Sequence, residues 1–162
     1  MRNEDTMTYN AGEEVTAGSV NAIEDARIML KGNYTVGRKI CNVRELEAYC
    51  RELVGYSAVE EFHLLCMDCG CNLISEATIS RGDLSSVSTP VPNIAKVALL
   101  SNARSVFLTH NHPGGTCAPS AEDLKATGTI KSALKMFDVE VLDHLIVTTN
   151  NGCYSMRQHG DI

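Results

Sequence analysis

Leu108-Thr-His-Asn-His-Pro-Gly-Gly-Thr-Cys-Ala-Pro-Ser-Ala-Glu-Asp123 sets His110, His112, Ser120 and Asp123 in the order His-x-His-x7-Ser-x2-Asp. Two histidines at i and i+2 project from one side of an extended segment, so both imidazoles can reach a single ion. The loop that follows, with Pro113, Gly114, Gly115 and Pro119, can turn back and let Asp123 supply a third ligand. Imidazole nitrogen with carboxylate oxygen suits Zn²⁺. Three protein ligands leave the fourth tetrahedral position to water, as in a catalytic rather than a structural zinc site. Ser120-x-x-Asp123 is also a capping box, Ser120 being the N-cap and Asp123 the N3 residue. The two roles are compatible, because a helix start can hold Ser120 in place while its hydroxyl faces the site.

Working outward, Ser105–Thr109 is an apolar run that reads as a buried strand delivering His110 to the end of a sheet. Before it, Pro92 suits the first turn of a helix that buries Ile94, Val97 and Ala98. Beyond the motif, residues 121–136 read as a helix with Leu124, Thr127, Ile130, Ala133, Leu134 and Phe137 inward. Val139–Leu142 and His144–Thr149 read as strands, and Asn150-Asn-Gly152 turns the chain into Cys153–Ser155. His144 reads as a core or supporting histidine held by hydrogen bonds, and His63 and His159 as surface or packing residues.

Nearer the N-terminus, Val59–Met67 and Leu73–Ser80 form a hairpin across Asp68-Cys-Gly-Cys-Asn72, where Cys69-Gly-Cys71 reads as a turn rather than a zinc knuckle. Asn42-Val-Arg-Glu45 reads as a capping box for a helix with Val43, Leu46, Cys50, Leu53 and Val54 along one face, which stops at Gly55. Ile23, Ala26, Met29 and Leu30 mark a shorter helix, and residues 1–18 an acidic tail without periodicity. The expected organisation is a tail over 1–18, a helical extension over 19–55 that leaves dimerisation open, and one globular domain over 56–162. Strands alternating with helices predict an α/β fold of three layers around a mixed central sheet.

The 162 residues are 44% hydrophobic, enough for one ordinary core. A formal charge of −6 and no clustered Lys/Arg argue against a broad grip on nucleic acid. The odd count of cysteines, seven, suits free thiols in a reducing compartment; one, Cys117, lies inside the motif loop. With neither an apolar run of membrane-spanning length nor an N-terminal h-region, the expected location is cytoplasmic.

At this spacing the motif resembles the signature of the JAMM (JAB/MPN-type) metalloproteases, and HNHPGGTCAPSAED is similar to their RadC-like branch. VEEFHLLCMD, ISRGDL, PNIAKVALLSNA, LDHLIV and a closing YSM…G extend the likeness over residues 59–160. The resemblance implies a JAB/MPN-like three-layer domain with a mixed sheet flanked by helices. It also implies zinc on His110, His112 and Asp123, and hydrolysis of a peptide or protein substrate. Glu60, aligned through VEEF, would be the general base, and Ser120 would stabilise the oxyanion. Glu60 and Glu61 face opposite ways on a strand, so only one can serve. The alternative from another class is a non-catalytic or DNA-repair-associated metal-binding module. The RadC-like association with DNA finds no helix-hairpin-helix pattern here. A nucleobase deaminase would need His-x-Glu and Pro-Cys-x-x-Cys, which are absent, and an HNH nuclease gains no support from the acidic charge.

Overall fold

A computed structural model describes residues 37–82, 90–150 and 152–162. The expected tail, the helix near Ile23–Leu30 and most of the loop after Arg81 lie outside them.

Helix α1, Val43–Val54, is capped by Asn42 as expected, but the return bond of the expected capping box goes one residue further back, to Cys41. Asn42 Oδ1 accepts from the Glu45 amide at 3.0 Å, and the Glu45 carboxylate accepts from the Cys41 amide at 2.8 Å. Strands β1, Glu61–Met67, and β2, Leu73–Arg81, pair antiparallel. Between them the Asp68 carboxylate accepts from the amides of Gly70 and Asn72, and Cys71 takes φ 61°, closing a turn with both cysteines exposed. Helix α2, Val91–Leu100, carries Pro92 in its first turn. It leads into β3, Ser105–His112, then α3, Ala121–Lys135, β4, Glu140–Thr148, β5, Cys153–Ser155, and the short α4, Met156–His159.

The strand order is β2-β1-β3-β4-β5. β3 and β4 are parallel, joined through α3, and the other pairs are antiparallel, so the sheet is mixed as expected. One core lies under α2 and α3, with Phe62, Leu64, Leu108, Ile94, Ile130 and Leu134. The opposite face meets α1 through Leu46, Cys50, Val54, Leu65, Leu145 and Val147. These are the three layers. The sequence reading set residues 19–55 apart as an extension; α1, within that span, packs directly on the sheet and supplies its second cover.

Two local expectations are corrected. Leu124 and Phe137 are 40% and 50% exposed, while α3 buries Asp123, Thr127, Ile130 and Leu134. The inward stripe starts one residue earlier than expected, at the polar Asp123 in place of Leu124, and continues through Thr127, which is inward as expected. The expected break at Asp143 is also absent, since β4 runs through it. Val106 pairs with Val141 but Phe107 with Asp143, so Leu142 is the extra residue of a bulge. That bulge changes the alternation and lets Val141 and His144 face the same side. Asp143 is then buried and accepts from the amides of His144 and Arg157 and from the Ser155 hydroxyl. No helix among the described residues is long and apolar enough to cross a membrane.

Candidate metal centre

β3 carries His110 and His112 at its C-terminal end, where the parallel neighbour β4 also ends and α3 begins. Both imidazoles lie on the α3 side of the sheet, and their Nε2 atoms are 2.9 Å apart. Asp123 joins them from the first turn of α3, with Oδ1 3.3 Å from His110 Nε2 and Oδ2 3.5 Å from His112 Nε2. Glu60, immediately before β1, offers a carboxylate oxygen that forms a cluster with one nitrogen of each histidine, all within 4.8 Å of one another. Phe62 walls the site from β1, its ring 6.2 Å from that of His110 and 5.4 Å from that of His144.

The α3 start serves both readings of Ser120 and Asp123. The Asp123 amide donates to Ser120 Oγ at 3.1 Å, and Asp123 Oδ2 accepts from the Ser120 amide at 2.8 Å and from its hydroxyl at 2.7 Å. Burial opposes ionisation of Asp123, but His110 and the two Ser120 donors outweigh it and hold the carboxyl well below the usual range.

The donor set fits a zinc ion. Zn–N and Zn–O bonds of roughly 2.0–2.1 Å in a tetrahedron put neighbouring ligand atoms about 3.3 Å apart; here the two Nε2 atoms are 2.9 Å apart, and the Asp123 carboxylate reaches His110 through Oδ1 at 3.3 Å and His112 through its other oxygen, Oδ2, at 3.5 Å. His112 Nδ1 lies 2.7 Å from the Thr116 carbonyl, which can only accept, so Nδ1 carries the proton. That leaves Nε2, which faces His110 and Asp123, as the atom of this ring whose lone pair a metal would take. A lone pair and a carboxylate pointed at one small space call for a proton or a cation between them.

Three features escaped the sequence reading. Asn111 lies between the two histidines but faces the other way. Fully buried, it accepts from the Glu61 amide at 2.8 Å and donates to the carbonyls of Ser57 at 3.2 Å and Val59 at 3.0 Å. It therefore ties the segment bearing Glu60 to the strand bearing the ligands. Glu61 turns to the α1 side, where its carboxylate meets Ser57 Oγ at 2.7 Å, Arg81 Nη2 at 2.9 Å and His63 Nε2 at 3.1 Å. Burial raises its pKa, and these partners together bring it below the usual range. Of the two roles expected for His63, surface or packing, the structure gives the buried one: it lies 3.4 Å from Glu76, which Tyr49 holds at 2.7 Å. The third feature is Thr127, counted only as a core-facing position. Its hydroxyl lies 2.6 Å from the Asp123 carbonyl and 2.7 Å from His144 Nδ1, and His144 Nε2 lies 2.8 Å from His110 Nδ1. Burial, with nearby His110 adding to it, pushes His144 well below the ordinary histidine range. A polar residue at each of these buried positions was the available signal.

A family model described as the RadC-like JAB domain matches residues 40–161. The chain belongs to the RadC-like JAB domain family. A UPF0758 protein of Janthinobacterium sp. (strain Marseille) is 36% identical over 140 residues, covering 86% of this chain and 62% of the relative. One of Ralstonia pickettii is 36% identical over 138 residues, covering 85% and 61%, and one of Aromatoleum aromaticum is 38% identical over 112 residues, covering 69% and 50%. This RadC-like chain thus spans less than two thirds of the length of these relatives. In the RadC-like domain the matched region takes in α1 together with the sheet, and every residue of the candidate centre lies within it.

Proposed function

We propose that this domain is a zinc-dependent metallohydrolase, a peptidase or isopeptidase of the JAMM type, acting on a peptide or protein. The observation that carries this reading is the convergence of His110 Nε2, His112 Nε2 and the Asp123 carboxylate at ligand spacing, with Glu60 beside them. A structural site has no use for that adjacent carboxylate. His110, His112 and Asp123 would hold the ion. Zinc, when bound, supplies a water acidified to a pKa of roughly 7 and polarises the scissile carbonyl.

The remaining work falls to the chain. Glu60 accepts a proton from the attacking water and delivers it to the leaving amine, so that C–N cleavage releases a neutral amine and a carboxylic acid, whose remaining proton passes to the amine or to solvent, and Glu60 is ionised again. The Ser120 hydroxyl, at the N-terminus of α3, is the proposed donor for the developing oxyanion, where a single donor is typically worth about 3 kcal/mol; the role requires its proton to turn away from Asp123 Oδ2, to which it donates at 2.7 Å. The helix terminus adds its own preference for negative charge. Phe62 shields the His110 and His144 side of the site from water.

Elemental analysis of protein purified without chelator tests this reading. Wild type is expected to carry one zinc per chain and His112→Ala none. Wild type that is metal-free and takes up no added Zn²⁺ would sink it.

A further inference from the structure

The site has a supporting chain of hydrogen bonds that starts and finishes on proposed ligands: Asp123 carbonyl, Thr127 hydroxyl, His144, His110. We propose that Thr127 is a positioning residue for the metal, setting the tautomers of His144 and His110 so that the His110 Nε2 lone pair is turned to the ion. This rests on the zinc reading above.

The direction of each bond follows from donor and acceptor counting. The Asp123 carbonyl has no proton, so the contact of 2.6 Å takes the single hydroxyl proton of Thr127. With that proton committed, Thr127 Oγ1 can only accept along the contact of 2.7 Å, and His144 donates through Nδ1. A neutral imidazole that donates through Nδ1 accepts through Nε2. His110 must therefore donate its Nδ1 proton across the 2.8 Å contact, which reserves Nε2, 3.3 Å from Asp123 and 2.9 Å from His112, as the atom whose lone pair meets the ion once a bound cation displaces any proton there. Thr127, His144 and His110 are all buried, at 0%, 1% and 0% exposure, so no water competes for these bonds. Ligating histidines commonly donate their second N–H to a carboxylate or carbonyl. Here the acceptor is another histidine, which can accept only in one tautomer, and Thr127 selects it. Because Thr127 bonds the carbonyl of Asp123, one hydroxyl joins the helix-borne ligand to a strand-borne one.

The test is zinc affinity by competition with a chromophoric chelator for wild type, Thr127→Val and Thr127→Ser, with long-range ¹H–¹⁵N spectra of the zinc-loaded wild type. Thr127→Val keeps the shape and removes the hydroxyl, so its affinity should fall about 10- to 100-fold. Thr127→Ser should stay within about threefold of wild type, since the hydroxyl remains. The spectra should show His110 and His144 with their protons on Nδ1. Undiminished affinity in Thr127→Val would overturn the proposal, as would equal losses in both variants, which would mark packing as the cause. A His144 proton on Nε2 would reverse the chain and overturn it without any variant. Wild type that binds no zinc would remove the metal reading itself, a failure distinct from the other three.

Discussion

Glu60 and Glu61 are adjacent and chemically identical, yet their surroundings differ completely. Glu61 is held by Ser57, His63 and Arg81 on the α1 side, while the Glu60 carboxylate clusters with His110 and His112. Glu60→Gln should therefore retain one zinc by elemental analysis and lose about 10²- to 10⁴-fold in hydrolysis of a fluorogenic peptide pool, the usual contribution of a general base. An active Glu60→Gln enzyme would remove Glu60 from the mechanism. Asp123→Ala differs in kind, because Asp123 is both a proposed ligand and half of a capping box. Loss of zinc should accompany a destabilisation of about 1 kcal/mol in the metal-free protein, read from its urea midpoint. Full zinc content in that variant would leave Asp123 as a cap alone.

Strand β4 shows how one inserted residue re-aims a side chain. The bulge at Leu142 brings His144 to the same face as Val141, where it meets Phe62 and Thr127. Asp143 then faces the other way and gathers β5 and α4 through the Ser155 hydroxyl and the Arg157 amide. Truncation by Asp143→Ala leaves the buried Ser155 hydroxyl and the part-buried Arg157 amide without their acceptor, and the urea midpoint should report a loss of about 3 kcal/mol. Arg157→Ala, which keeps the backbone amide and removes only the exposed contact to the Leu142 carbonyl, should cost under about 1 kcal/mol. Similar losses in the two variants would mean that Asp143 is not the anchor. Helix α3 is likewise defined by its buried polar positions, which is why counting apolar letters along it placed Leu124 and Phe137 inside.

For the whole molecule, acid stability follows from carboxylates held below their usual range. Asp123 and Glu61 are both lowered, so each contributes stability that is fully present above its unfolded value, about 4. That contribution disappears as pH falls through the lower folded value. The urea midpoint of the metal-free protein should drop between pH 5 and pH 3, and Glu61→Gln should show a shallower drop; parallel profiles would contradict the assignment for Glu61. Much of this molecule was legible in the letters. His-x-His, Ser-x-x-Asp and the strand before them report local geometry, since residues two apart on a strand share a face and a capping box closes within one turn. The α/β alternation and the mixed sheet followed from periodicity and turn chemistry in the same way. What only the tertiary structure decided depends on contacts between distant segments: Asn111 clamping the chain beside Glu60, His63 between Glu61 and Glu76, and the bulge that turns His144 toward Thr127. A buried polar side chain chooses its partner by the desolvation it must offset, and that partner exists only once the layers have packed.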